Sequence, residues 1–385
     1  MTVVILLCLA ACVAWGILLA ARGGFWRADM RLGTTPDPTS WPEVAVLIPA
    51  RDEAETVVSV LEAHAASRYP GRLTVVLADD GSRDGTGGLA RDLAKTSPRP
   101  IHVIEAEPLP SGWSGKLWAL DCARRAAERV APQAQWLLLC DADIRLAPDT
   151  LSALVAKGEA ERLGLVSLMA RLDDRGLWGG LLIPAFVFFF QKLYPFAWVA
   201  GSQKTAAAAG GCILARREVL TRIGWPEAIR GALIDDCALA ARVKGMPGLE
   251  SIWLGLADDE AVSLRDNTAL GSVWKMVARS AFAQLKHNWA LLAGTVLGMV
   301  VLYLLGPLAV LTVPIHGSWL AALVGALAWG LAAFAYVPTL ALYDRPAWEA
   351  AALPLAAALY TAMTVDSAIQ HARGKGGAWK GRTYS

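Results

Sequence analysis

The chain has 385 residues, 55% of them hydrophobic and 18% charged, with a net charge of +2 and a mean hydropathy of +0.41. Two or three domain-sized units fit that length. The near-neutral balance excludes the basic face that a nucleic-acid partner requires, and the hydropathy exceeds that of an ordinary soluble enzyme, which points to membrane segments.

Residues 2–21, TVVILLCLAACVAWGILLAA, carry no charge and match the ~20 residues with which a helix crosses the hydrocarbon core. The basic n-region of a cleaved signal peptide is missing. Arg22, Arg27 and Arg31 follow the run instead. Positive charge stays cytoplasmic, so 1–22 is expected to cross with its N-terminus outside.

From 41 to 288 the pattern changes. VAVLIPA (44–50), LTVVLADD (73–80) and WLLLCDAD (136–143) are short apolar runs that read as strands. Helical patterns lie between them at 53–67, 83–96 and 115–131. Such alternation predicts an α/β fold with a mostly parallel sheet, whose ligands collect beyond the carboxyl ends of the strands. All three runs end in polar residues: Arg51-Asp52-Glu53, Asp79-Asp80-Gly81-Ser82 and Asp141-Ala142-Asp143.

The segment 177–200, LWGGLLIPAFVFFFQKLYPFAWVA, is long enough to span a membrane but contains Pro184, Lys192 and Pro195. A crossing there would separate Asp141 and Asp143 from Asp235 and Asp236, so an amphipathic interfacial segment is expected. A buried helix pair is the alternative. Residues 289–313 and 318–343 each read as a spanning helix. The weaker stretch 347–366 holds Pro354 and precedes a basic tail, HARGKGGAWKGR. An interfacial or re-entrant course for 347–385 keeps that tail cytoplasmic. The six cysteines form no CxxC pair, which excludes a disulfide framework or zinc site and fits a reducing compartment.

Chemistry follows from the strand ends. Asp79 and Asp80 could accept hydrogen bonds from a nucleobase or ribose, while Ser82 and Asp84 could simply cap a helix. Side chains at i and i+2 of a strand share a face, so Asp141 and Asp143 would repel unless a cation neutralises them. Mg²⁺ or Mn²⁺ would do so and leave positions for diphosphate oxygens; a solvated strand end is the alternative. Gly112-Trp113-Ser114-Gly115-Lys116 opens a helix whose N-terminus attracts anions, with Lys116 adding a cation. Asp235-Asp236 begins another helix, where the dipole favours a carboxylate, either as a cap or as a general base for an attacking hydroxyl. Gly210-Gly211-Cys212 offers a small-residue floor for an acceptor or sugar.

IPARDE (48–53), ADDGS (78–82), GK (115–116), DAD (141–143), GGC (210–212) and IDD (234–236) stand in an order that resembles family 2 glycosyltransferases with the GT-A fold, over about residues 41–290. The flanking apolar helices and WKGRTY (379–384) are similar to lipid-directed members, above all the hopene-associated glycosyltransferases of bacteria. The resemblance implies that Pro49, Ala50, Arg51, Glu53, Asp79 and Asp80 hold the nucleotide and that Lys116 lies near the donor. Asp141 would touch the nucleotide sugar, Asp143 would bind the metal, and Asp236 would be the base, with Asp235 in place of a frequent glutamate. Gly211 and Cys212 would floor the acceptor pocket. The expected enzyme is a membrane-bound, inverting, metal-dependent transferase of one sugar from a nucleotide sugar, a UDP-sugar by expectation, to a lipid hydroxyl. Residues 273–287, VWKMVARSAFAQLKH, lack the QxxRW of processive members, which disfavours polymer synthesis. Two rival readings remain. One is a haloacid-dehalogenase-like phosphatase using DxD with Lys204 and the later acidic pair; the other is a membrane scaffold without catalysis.

Overall fold

The computed structural model describes residues 1–201, 204–246 and 251–374, and the backbone of 378–379 and 382–383. Half of WKGRTY, residues 380, 381 and 384, lies outside them. After helix α1 (Thr2–Ala21), strands β1 (Val44–Ala50) and β2 (Leu73–Asp79) are buried at every residue, as expected of strands covered on both faces. Helices α2 (Val57–Ala65) and α3 (Thr86–Thr96) follow them. Both start later than their patterns suggest, because the residues after each strand form loops that hydrogen-bond to one another. Next come β3 (Ile101–Glu105), α4 (Gly115–Val130), β4 (Trp136–Cys140), β5 (Ile144–Leu146), α5 (Thr150–Ala160) and β6 (Leu165–Met169). Then follow α6 (Gly176–Leu193), α7 (Phe196–Ala200), β7 (Cys212–Arg216), α8 (Arg217–Arg222) and α9 (Asp235–Lys244). Strands β8 (Ile252–Leu256) and β9 (Ala261–Ser263) and helices α10 (Leu270–Ala278) and α11 (Ala281–Gln284) complete this unit.

Among the described residues, seven strands form one sheet in the order β3-β2-β1-β4-β7-β6-β8. It is mostly parallel, as expected, but β7 runs against both neighbours. That reversal sets the site. Cys140 at the end of β4 pairs with Cys212 at the start of β7, so the glycine pair before β7 arrives where β4 delivers its aspartates. A separate two-stranded ribbon pairs β5 with β9, Ile144 opposite Ser263. One expectation is corrected: β4 ends at Cys140, and 141–143 form a turn closed by the Ile144 amide donating to the Asp141 carbonyl at 3.1 Å. Asp141 and Asp143 therefore do not alternate along a strand.

The sheet separates two apolar layers. One packs β1, β2 and β4 against α2 and α5 through Val57, Val60, Leu61, Leu151 and Leu154. The other runs under α4 and α9 and continues without a break into Phe188, Tyr303, Tyr336 and Tyr360 of the apolar helices. The α/β unit and the helix bundle thus share one core.

The bundle contains α12 (Trp289–Leu311), α13 (Trp319–Leu342) and α14 (Leu353–Ala372), the last entered through a 3-10 turn at Ala347–Ala352. With α1 and α6 they make five helices, among the described residues, that are long and apolar enough to cross a membrane. Helix α1 leaves Val3, Leu6, Val13 and Ile17 exposed, a face suited to hydrocarbon. Helices α12 and α13 approach backbone to backbone at Gly306 and Gly325, the close contact that small residues permit. A π turn in α12 spans Val300–Leu304, and within it the Leu302 carbonyl accepts the Trp15 indole at 3.1 Å. The 177–200 segment forms α6 and α7, and α6 is half-buried against α10, α13 and α14.

Candidate active site

The carboxyl ends of β1 and β2 are interlocked. Ala50 pairs with Asp79 in register, and the Asp80 amide donates to the Ala50 carbonyl at 2.8 Å. The chain turns at Asp52, whose φ of 51° lies in the left-handed region that aspartate tolerates. Its amide donates to Ser82 Oγ at 3.0 Å, and the Ala54 amide to Asp84 Oδ2 at 2.9 Å. Ser82 and Asp84 therefore brace the neighbouring loop. Asp79 is buried; its Oδ1 accepts from the Ser82 amide at 2.9 Å, while Oδ2 lies where a side chain on Gly87 would stand. Arg51 donates to the Asp80 carbonyl and pairs with Asp80 Oδ2 at 3.2 Å. Pro49 and Ala50 lie in the buried end of β1, and Glu53 opens toward Arg265 at 3.9 Å.

The β4 turn is tied to the same loops, since Thr56 Oγ1 donates to the Ala142 carbonyl at 2.8 Å. Ser114 caps α4 through its Oγ. Lys116, in the first turn, reaches Asp141 Oδ1 at 2.8 Å and Asp235 Oδ2 at 3.5 Å. Burial alone would lower its pKa, but Asp141, Asp235 and Asp236 together outweigh that and hold it above the usual lysine range. The predicted acids after β4 and at the start of α9 are thereby joined through one ammonium group.

Asp235 and Asp236 occupy the first turn of α9. Asp236 Oδ2 accepts the Gly210 amide at 2.9 Å and Oδ1 accepts its neighbour Cys237's amide at 2.7 Å. Burial and then the Asp235 charge push its pKa up to about 6, against the pull of Lys116. Such a carboxyl is poised to take a proton near neutral pH. Gly210 is thus the glycine that meets Asp236. Cys212 is fully buried, its thiol pushed up to about 12 by burial and the Asp141 charge, and Gly211 packs on Ile144. Cys212 thus presents no open surface, while Gly211 is half-buried.

Asp143 is buried, and its Oδ2 pairs with Arg265 at 2.9 Å. Burial raises this carboxyl, with Arg265 opposing. Arg265 was missed by sequence reasoning. The available signal was charge balance: two acids close together need cations, and the protein itself supplies Lys116 and Arg265. Tyr194, beyond the end of α6, was also missed. Its hydroxyl accepts from Gln284 Nε2 at 2.6 Å and pairs with the Cys237 thiol beside Asp236.

The sequence model described as glycosyl transferase family 21 matches residues 3–384. The chain belongs to that family. The motif order had pointed to family 2. The fold of this family 21 glycosyltransferase is similar to that of the mannosyltransferase PcManGT from Pyrobaculum calidifontis, solved in complex with GDP-Man and Mn²⁺. The two are 22% identical, with a TM-score of 0.53 over 96% of this chain and 99% of the other, and the α/β unit is GT-A-like. The chain is also 28% identical over 204 residues to an N-acetylglucosaminyltransferase of Mesorhizobium japonicum (strain LMG 29417 / CECT 9101 / MAFF 303099). That stretch is 50% of this chain and 43% of that enzyme, less than half of the relative's length. Family membership leaves the phosphatase and scaffold readings without support, and Lys204 lies exposed.

Proposed function

We propose that this family 21 glycosyltransferase moves one sugar from a nucleotide sugar, a UDP-sugar first of all, to the hydroxyl of a membrane lipid, with inversion. The acceptor would be a hopanoid or another polyisoprenoid or sphingolipid-like lipid. The observation that carries the reading is Lys116, which lies within ion-pair distance of both Asp141 and Asp235. It sets a donor carboxylate beside an acceptor carboxylate while keeping their tasks apart.

Pro49, Ala50, Arg51, Glu53, Asp79 and Asp80 would hold the nucleotide, and Asp141 the nucleotide sugar. For the metal, no group of three or more His, Cys, Asp or Glu side chains gathers among the described residues. Asp143, with Asp141 beside it, still fits Mg²⁺ or Mn²⁺, which usually take one or two carboxylates and complete their shell with phosphate oxygens and water. When bound, the cation would offset charge on the departing diphosphate. Asp236 accepts the proton of the acceptor hydroxyl. The two backbone amides on its oxygens fix its orientation, and Lys116 compensates negative charge near the donor.

The Cys237–Tyr194–Gln284 contacts link the base to α6 and α11, which suits an acceptor whose head reaches the base from the membrane surface. Helices α1, α12 and α13 would cross the cytoplasmic (inner) membrane with the catalytic unit in the cytoplasm. Helix α6 would lie at the interface, and 347–372 would re-enter without crossing.

Purified protein in detergent, supplied with Mn²⁺ or Mg²⁺, a panel of nucleotide sugars and a lipid extract, tests the reading. Release of nucleoside diphosphate is followed together with lipid mass. Asp143→Ala and Asp236→Asn should both stop transfer, and only the former should weaken metal-dependent donor binding. Full turnover by Asp236→Asn would remove it as the base.

A further inference from the structure

Arg265 is held beside Asp143 by the fold. The β5–β9 ribbon places Ser263 opposite Ile144, the residue after Asp143. One residue on, the Leu264 amide donates to the Asp143 carbonyl at 2.8 Å, and the Arg265 amide donates to Ser263 Oγ at 3.3 Å. From that pinned backbone the guanidinium reaches Asp143 Oδ2 at 2.9 Å, with Glu53 Oε1 at 3.9 Å. The Asp143 side chain is 9% exposed and the Arg265 side chain 46%. The carboxylate is therefore fixed and covered, while its cation stands at the mouth with room to turn.

We propose that Arg265 is a positioning residue that competes with the divalent cation for Asp143 until the donor arrives, and then turns its guanidinium to the donor's diphosphate. This rests on the reading of Asp143 as the metal carboxylate. Two cations on one buried carboxylate repel each other, so metal alone must displace Arg265 and binds weakly. A diphosphate brings negative charge to the same place and supplies the planar fork with oxygen acceptors. Metal and nucleotide are then bound together more favourably than either alone, a coupling that is reciprocal by linkage. Arg51 and Lys116 are less suited to this exchange. Arg51 is anchored on the Asp80 carbonyl as well as its carboxylate, and Lys116 is shared between two acids on different elements.

The test measures Mn²⁺ binding directly, by the loss of the free-ion electron paramagnetic resonance signal, to full-length protein in detergent with and without UDP or GDP. Arg265→Ala should bind Mn²⁺ alone about two- to five-fold more tightly than the native chain, the scale of a half-exposed ion pair. It should bind the preferred nucleotide in saturating Mn²⁺ about ten-fold more weakly, as expected for loss of a charged hydrogen bond. Arg265→Lys keeps the charge without the fork, so it should retain native Mn²⁺ affinity and lose part of the nucleotide affinity. Tighter Mn²⁺ binding together with weaker nucleotide binding on removal is the pair of changes that a merely structural ion pair would not give. Equal or weaker Mn²⁺ binding by Arg265→Ala overturns the competition. If Asp143→Asn binds Mn²⁺ as well as the native chain, the metal reading of Asp143 fails instead, and the competition with it.

Discussion

Two adjacent aspartates at one helix start have different surroundings, and the difference decides their chemistry. Asp235 faces Lys116, whereas Asp236 is turned onto two backbone amides with its pKa pushed up to about 6. As the proposed base, Asp236 would work deprotonated, so kcat/KM should fall about ten-fold per pH unit below about pH 6 and level off above it. Lys116 opposes the upward shift, so Lys116→Gln should move this acid limb to higher pH. Initial rates of nucleoside diphosphate release between about pH 5 and about pH 9 would show it; an unmoved limb would mean that Lys116 does not set the base. Stability carries the opposite sign. The folded value lies above the 3.8 of the free side chain, so this group's contribution is fully present below about pH 3.8 and lost as pH rises through about 6. Near pH 8 the ionised carboxyl is a burden that Asp236→Asn relieves while giving up one amide bond. A net gain of about 1 kcal/mol should appear as a higher unfolding temperature of an inactive protein, and should vanish near pH 4.

Elements place these residues through direction and close approach. Because β7 is antiparallel, its first residues stand at the carboxyl end of β4, and Gly210 can donate to Asp236. A side chain on Gly210 would begin 3.1 Å from Asp236 Oδ2 and 3.4 Å from Lys116 Nζ. Both are ends of side chains, so the fold survives and the carboxylate shifts. Gly210→Ala should therefore lower kcat by about 10- to 100-fold with metal-dependent nucleotide binding unchanged in calorimetry. In the bundle the obstacle is backbone. A Cβ on Gly325 would lie 2.7 Å from the Gly306 carbonyl oxygen, whereas one on Gly330 meets nothing within 4 Å. Gly325→Leu should cost about 1–3 kcal/mol through overpacking and lower the unfolding temperature in detergent. Gly330→Leu, on the same helix, should leave it unchanged.

At the scale of the molecule, the sequence exposed what local pattern can carry. An apolar run ending in acids marks β1, β2 and β4 because burial and the strand end are both local. Ribbon strands of three residues, β5 and β9, give no periodicity, and their pairing joins residues far apart in the chain. Arg265 was hidden for that reason, and the strand geometry assumed for Asp141 and Asp143 failed because a turn follows Cys140. The course of the last helix is likewise a long-range matter. Its entrance is tied to the catalytic unit, Arg171 with Asp344 at 2.8 Å and Arg345 with Asp174 at 3.3 Å. Its far end returns there, Trp274 Nε1 donating to Asp366 Oδ2 at 2.7 Å and His287 stacking on His371 at 4.0 Å. Between them the Ala351 carbonyl accepts from Trp329 at 3.2 Å, near the middle of α13. On the proposed re-entrant course, α14 would start near the middle of the bilayer and end beside the catalytic unit, its 20 residues covering about 30 Å. In a background with the native cysteines replaced, single cysteines at Asp344, Arg373 and Lys95 should react with an impermeant maleimide from one side of sealed vesicles. Those at Thr2 and Ile315 should react from the other. Labelling of Arg373→Cys together with Ile315→Cys would mean that 347–372 crosses, and would move the basic tail to the opposite face from Asp236.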